Sequence, residues 1–339
     1  MKKKKLMTLS DISKISGVSE STVSRALSGS KLVSDKTRAK IQAIADEHNF
    51  TINAAARNLR LQKTKTVAVI ILISSGNDQS VSDPFMLSLV GSIAEALGSK
   101  GYDMLLSTTR SAPQDWQRHY FDTRKADGLI IIGQGEDDAP LNVLVDSTYP
   151  FVTWGSTAKS YTGVGSDNRK GGYLATRHLI DQGCRRIGFF GKAHHAEIHE
   201  RWQGYKQALE ENEAAAMIDT TLDVPFTAQA GYKVAKQLIN DNSFTYDGIV
   251  AASDMIAIGI IKALKESAIN VPKDVAVVGF DDISLASMYH PSLTTVRQDT
   301  VHGGEMLVSK LLAKLNGEEV QSETLPTQLV IRQSTQRSK

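Results

Sequence analysis

A single cysteine, Cys184, stands among the 339 residues, so no disulfide can form within the chain. That usage fits a reducing compartment, and a lone thiol with no matched base reads as a packing or surface residue. No stretch approaches 18 uninterrupted apolar residues, which leaves no membrane span to propose. Lys2 to Lys5 look like the basic start of a secretory leader. Leu6-Met7 is followed at once by Thr8, Ser10, Asp11 and Ser13, however, and the apolar core of a leader is missing. A cytoplasmic protein is expected.

Catalytic signatures are equally scarce. Gly163-Val164-Gly165 lacks the third glycine of a phosphate-cradling loop, and no nucleophile elbow appears. His194-His195 and His199 are accompanied by no carboxylate and histidine set at HExxH-type spacing. Asp281-Asp282 is a carboxylate pair, but neighbours on a strand point to opposite faces and cannot share acid and base work. The expectation is neither an enzyme nor a metal or cofactor protein.

What the chain does have is a lopsided charge. Residues 1–65 hold 14 Lys and Arg against 5 Asp and Glu, a net +9; the whole chain is +2, so the remainder carries −7. A polyanion is therefore expected at the N-terminal end alone, because phosphate contacts release counterions and supply sequence-independent affinity. Within that end, Ile12 and Ile15 sit at helical spacing in Asp11 to Ser16, Gly17 supplies a turn, and Ser19 caps a second helix to Leu27. That is a helix-turn-helix pattern. Val23 and Leu27 are expected inward, leaving Glu20, Ser21, Thr22 and Arg25 outward as short polar groups and one arginine suited to base edges. A third helix starts near Ser34-Asp35, carries Ile41, Ile44 and Ala45 inward, and ends about His48. Asn53 to Arg60 reads as a short helix with too little apolar surface to fold alone, followed by a polar tether to Thr66.

From Val67 the pattern changes to apolar runs: Val67 to Ile73, Tyr102 to Thr109, Gly128 to Gly133, Phe151 to Trp154, Arg186 to Gly191, Gly248 to Ala252 and Val275 to Asp281. Amphipathic stretches near 86–99, 114–126, 169–182, 200–211, 229–241, 254–267 and 300–315 separate them. Buried strands alternating with helices indicate parallel sheets covered on both faces. So long a body implies an α/β fold of two doubly wound subdomains, with ligand chemistry at the strand C-terminal ends and a cleft between the two.

Thr8-Leu9-Ser10-Asp11-Ile12, Val18-Ser19, Thr22-Val23-Ser24-Arg25-Ala26-Leu27, Ala54-Ala55-Ala56-Arg57-Asn58-Leu59 and Val278-Gly279-Phe280-Asp281-Asp282 together resemble the lactose/galactose repressor family of bacterial regulators. The likeness runs from Thr8 to Gln333. It implies an all-α head at 1–50, a hinge helix and linker at 51–65, and an effector-binding and dimerisation body at 66–333 like type I periplasmic binding proteins. Within the body, one subdomain is expected at about 66–165 plus 296–322 and the other at about 166–295 plus 323–333. It also implies a homodimer on double-stranded operator DNA, released or recruited by a small-molecule effector such as a sugar or sugar derivative.

Carried over by position, DNA contacts fall at Thr8, Ser19, Glu20, Ser21, Thr22, Ser24 and Arg25 in the head and at Asn53, Ala56, Arg57, Leu59 and Arg60 in the hinge. Leu59 matches the family's minor-groove wedge, and ordinary packing is the alternative. Glu20 either accepts from a cytosine amine or is merely an exposed helix-start charge. Effector contacts are expected where strands end: Asp83 and Phe85, Trp154, His195 and Glu197, Arg201, Phe226, Ser253, Asp281 and Gln298. Arg201 and Asp281 resemble the family's polar clamp, with a plain structural ion pair as the alternative. Trp154 and Phe85 serve either as stacking faces or as core. Asp254, beginning a helix, is as readily a cap as a ligand contact. A purine-responsive regulator of the same architecture remains the second reading.

Overall fold

The computed structural model describes residues 7–30, 32–48, 50, 63–73, 80–109, 115–133, 139–145, 147–157, 161–193, 195–212 and 221–337. Two compact units divide after Thr64. The hinge expected around Asn53, Ala56, Arg57, Leu59 and Arg60 lies outside the described residues, as does His194.

In the head, α1 (Leu9–Ser16) begins two residues before the expected Asp11. The Thr8 hydroxyl accepts from the Asp11 amide and the Asp11 carboxylate takes the Thr8 amide at 3.0 Å, a reciprocal cap that starts the helix early. Gly17 ends it with φ +75°, a left-handed turn that costs a side-chain-bearing residue more. α2 (Glu20–Leu27) is capped by Ser19 and α3 (Asp35–Glu47) by Ser34. Their shared core is Ile12, Val23, Ala26, Val33 and Ile41, with Ala45 also buried. Two sequence expectations change here. Ile15 is 48% exposed, because the buried stripe of α1 runs through Ile12 and Ser16. Ala26 takes the fully buried place expected of Leu27, which packs only partly against the core. Arg38 donates to the carbonyls of Ser30 and Val33 and to Asp35, so it staples the turn between α2 and α3.

The body begins with β1 (Thr66–Ile71), whose five residues after Thr66 are all buried, and α4 (Pro84–Ser99). Then come β2 (Asp103–Thr108), β3 (Gly128–Ile132), α5 (Ala139–Val145), β4 (Phe151–Trp154) and β5 (Gly163–Ser166). The amphipathic stretch expected at 114–126 is cut to one wide helical turn, Gln117–Asp122. α6 (Asn168–Asp181), β6 (Ile187–Phe190), α7 (Ala196–Glu210), β7 (Thr221–Leu222), α8 (Ala228–Asn240) and β8 (Gly248–Ala251) follow. The chain continues through α9 (Asp254–Glu266), β9 (Ala276–Asp281), α10 (Ser284–Met288), β10 (Thr294–Arg297), α11 (Thr300–Leu315), β11 (Glu323–Leu325) and β12 (Gln328–Val330).

One six-stranded sheet has the order β11-β5-β4-β3-β1-β2, all parallel; the other has β12-β10-β9-β8-β6-β7, with only β12 antiparallel. These are the two doubly wound halves, and the chain passes between them three times, at 166–168, 298–300 and 326–327. Two expected boundaries shift. Residues 296–297 stay in the second half because β10 pairs with β9 over Thr294–Arg297. Residues 323–325 stay in the first because β11 pairs with β5. After α11 the chain forms two short strands, parted where Pro326 interrupts the ladder. Two bonds tie the passages together: the Asp167 amide to the Leu325 carbonyl at 2.9 Å and the Thr327 hydroxyl to the Asp167 carbonyl at 3.2 Å.

α6 and α7 cross at two glycines. A methyl group at Gly172 would fall 1.9 Å from the Arg201 carbonyl oxygen, and one at Gly204 would fall 1.9 Å from that of Arg169. Backbone therefore packs on backbone where α7 carries Arg201 toward the strand ends.

Candidate functional site

Parallel strands deliver their C-terminal ends to one rim of a sheet, and in each half the strand order reverses there, between β1 and β3 and between β6 and β8. The two rims enclose a cleft of about 780 Å³, the open solvent at its mouth included. From the first half come Asp83, Phe85 and Trp154; from the second, His195, Glu197, Arg201, Phe226, Ser253 and Asp281; from a passage between them, Gln298. All ten residues singled out from the sequence thus line one cavity.

Arg201 sits at its centre, 6% exposed. Its Nε donates to Asn168 Oδ1 at 2.8 Å and an NH group to the Ala252 carbonyl at 2.5 Å, while the guanidinium lies 3.7 Å from the centre of the Phe280 ring. Asp281 Oδ1 is 4.0 Å from Arg201 and accepts from Gln298 Nε2 at 2.7 Å. The backbone of Asp281 is at φ +115° and that of Asp282 at +56°, a strained bend after β9 that turns the first carboxylate into the cleft. Asp282 goes elsewhere, held at 2.6 Å by both Arg297 and Arg332. Asp254 is a helix-start residue buried beneath the cleft, accepting from the Ile283 amide at 2.9 Å and from the Thr295 hydroxyl. It does not line the cavity. Asp83 caps α4 through the amides of Phe85 and Met86.

Burial pushes the Asp281 carboxyl up from its ordinary value of 3.8 to about 7, against the pull of Arg201 and with a further push from Asp83. Asp83 and Asp254 are raised by burial too. A carboxyl raised this way keeps a proton in the folded chain that the unfolded chain has already released. Stability is then greatest below the unfolded value and declines as pH rises through the folded one. Between pH 6.5 and 8 the ligand-free body is expected to lose thermal stability, and Asp281→Asn is expected to flatten that slope. Melting scans in that window lie above the lowered pKa of buried His178. An unchanged slope in the variant removes Asp281 as its source.

On the head, Glu20 and Arg25 are exposed on α2. Ser19 Oγ is shared among the Thr22 amide, Ser21 Oγ at 2.8 Å and Thr22 Oγ1 at 2.9 Å, so these hydroxyls form a local cap network at the start of the helix. Ser24 is half-buried, and the exposed Thr8 hydroxyl faces Asp11 at 2.7 Å. Glu20 and Arg25 are thus the long polar side chains free to reach outward from this face.

Residues 8–53 match the model of bacterial regulatory proteins of the lacI family, and residues 176–335 match a periplasmic binding protein-like domain. The HTH-type transcriptional regulator CelR of Thermobifida fusca is 32% identical over 345 residues, covering 98% of this chain and 100% of that protein. This chain belongs to the LacI family of bacterial regulatory proteins. The HTH-type transcriptional repressor PurR of Haemophilus influenzae is 29% identical over 340 residues, covering 97% of this chain and 98% of the relative. Among solved structures, the Lac repressor dimer bound to operator and an anti-inducer superposes with a TM-score of 0.86 at 26% identity, over 98% of this chain and 99% of that one. A CelR–cellobiose complex gives 0.71 at 29% identity, over 97% and 99%.

Sequence reasoning about this LacI-family chain missed Leu72, Met86, Gly133, Gly155, Ser166, Asn168 and Ile198, which also line the cleft. Ser166 and Asn168 flank the first passage between the halves. The available signal was a strand end running into a helix-capping Asp-Asn pair, the same local pattern that marked Ser253-Asp254. Also missed was Ser156, after β4, whose hydroxyl donates to Glu200 on α7 at 2.7 Å and so bridges the halves. Glu200→Ala is expected to weaken effector binding by roughly the 0.5–1.5 kcal/mol of one hydrogen bond, because closure loses a latch. Calorimetry that returns wild-type affinity excludes that role.

Proposed function

We propose that the chain is a cytoplasmic, homodimeric transcriptional repressor of carbohydrate uptake or catabolism genes. Its head reads operator DNA, and its operator affinity is set by a sugar-type effector held between the two halves of the body. The observation that carries the effector part is the convergence of ten side chains, from both halves and a passage between them, on one cleft around the Arg201–Asp281 pair. Trp154 and Phe85, with ring centres 6.2 Å apart, and Phe226 offer apolar faces to a sugar ring. Binding that favours one arrangement of the halves shifts the population, and the linked operator affinity shifts by the same differential. The same aromatic faces and Asp281 suit a purine base, and a PurR relative stands at 29% identity, so that remains the second reading.

Thermal-shift screening with neutral sugars, sugar phosphates and purines separates the two, since a ligand at a hundredfold excess over its Kd stabilises by about 2.7 kcal/mol. A shift with purines alone favours the second reading. On the DNA side, Arg25→Ala is expected to cost about 1–3 kcal/mol of discrimination at one base pair of the operator. Unchanged discrimination in competition binding refutes Arg25 as a base-reading residue.

A further inference from the structure

Ser166 ends β5 on the floor of the cleft, 5% exposed, and its hydroxyl has no hydrogen-bond partner among the described residues. The neighbouring carboxamide is already used: Asn168 Nδ2 donates to the Ser166 carbonyl at 3.1 Å, and its oxygen accepts from Arg201. An enclosed hydroxyl left unpaired in a polar cleft is a group waiting for a partner that arrives with the ligand. It can both donate and accept, which matches a ligand hydroxyl.

The charges of the cleft point the same way. Among the described residues lining it, Arg201 is the only lysine or arginine, against the carboxyls of Asp83, Glu197 and Asp281. Arg201 is also surrounded by acids, with Asp281, Glu197, Glu200 and Asp254 all acting on it. Two of its donors are committed within the protein and one face is covered by Phe280. Burial raises the Asp281 and Asp83 carboxyls, so negative charge is already costly in this desolvated cleft. A phosphate or carboxylate entering here meets a single arginine already shared with Asn168, Ala252 and Asp281, and adds charge in a desolvated space.

Resting on the reading of the cleft as the effector site, we infer that its ligand is uncharged and hydroxyl-rich. Phosphorylated and carboxylated forms are excluded, and the Ser166 hydroxyl is one of the ligand's hydrogen-bond partners. The test uses the full-length chain in calorimetry and thermal shift. The probes are neutral aldopentoses, aldohexoses and disaccharides, the monosaccharides each beside their terminal phosphate and uronic acid, with neutral purine bases and their nucleoside monophosphates as a second arm. The expected result is a neutral sugar whose anionic counterparts bind at least about tenfold more weakly. Ser166→Ala is expected to weaken that sugar by about five- to tenfold, the loss of one hydrogen bond, without lowering the ligand-free melting temperature. Equal or tighter binding of a phosphate or uronate overturns the charge assignment while leaving the effector reading intact. Sugar affinity unchanged in Ser166→Ala overturns the role of that hydroxyl, and a response to neutral purines alone overturns the hydroxyl-rich assignment. Silence from both arms overturns the effector reading itself and the inference with it.

Discussion

Arg201→Ala is expected to abolish the effector response while leaving operator binding by the ligand-free protein close to wild type. The guanidinium joins Asn168, Ala252, Asp281 and the face of Phe280 from a position 6% exposed, so no side chain of another shape replaces it. Removing one partner of a buried charge pair costs about 3–5 kcal/mol, at least a hundredfold in affinity if it falls on the ligand-bound state. Part of that loss is relieved in the empty protein, because Asp281, with its pKa already near 7, takes up a proton once the arginine is gone. The variant is therefore expected to fold and to bind operator through a head whose core is its own. Arg201→Lys keeps the charge and most of the stem but loses the planar fork, and is expected to fail nearly as badly. Operator titrations with and without effector decide the matter; a variant that still responds fully removes Arg201 from the site.

The parts of this architecture that the sequence reveals are those where side-chain chemistry and backbone geometry agree. β1, β3, β8 and β9 are runs of branched and apolar residues buried on both faces, and each was legible. Ser19 and Ser34 cap helices from the places their hydroxyls dictate. β5 was not legible, because Gly163-Val164-Gly165-Ser166 offers one apolar side chain. It is fixed instead by a close backbone approach in which a methyl group at Gly165 would meet the Gly155 carbonyl at 1.8 Å. The passages at 298–300 and 326–327 were displaced by a few residues for a related reason. Strand pairing decides them, and the partners of β10 and β11 lie more than ten residues away in sequence. In the cleft, a position between a strand and a helix start was enough to pick out Asp83 and Ser253, whereas Asp281 was carried over from the family's Gly279-Phe280-Asp281-Asp282 motif. Ser166 obeys the same rule, but what singles it out is a missing partner, which only the tertiary structure displays.

The second large effect concerns the scaffold rather than the ligand. Gly172→Ala adds one methyl group where α6 and α7 cross, and that methyl would stand 1.9 Å from the Arg201 carbonyl oxygen and 2.9 Å from its Cα. No rotamer change relieves a clash with backbone, so the helices must move apart. Overpacking of this kind costs about 1–3 kcal/mol, occasionally more, which corresponds to a melting temperature lower by roughly 2–4 °C per kcal/mol in a domain of this size. The displacement also has a direction. α6 begins with Asn168 and α7 carries Arg201, so separating them lengthens the 2.8 Å bond that aims the guanidinium into the cleft. Effector affinity is therefore expected to fall together with stability. Gly91→Ala on α4 is the matched control: its added methyl meets nothing within 4 Å, and better helix propensity is expected to leave the body unchanged or stabilised by up to about 1 kcal/mol. If Gly172→Ala melts and binds effector like Gly91→Ala, the α6–α7 crossing does not hold Arg201 in place. A drop in both quantities at Gly172 alone ties the packing of two glycines to the aim of one arginine.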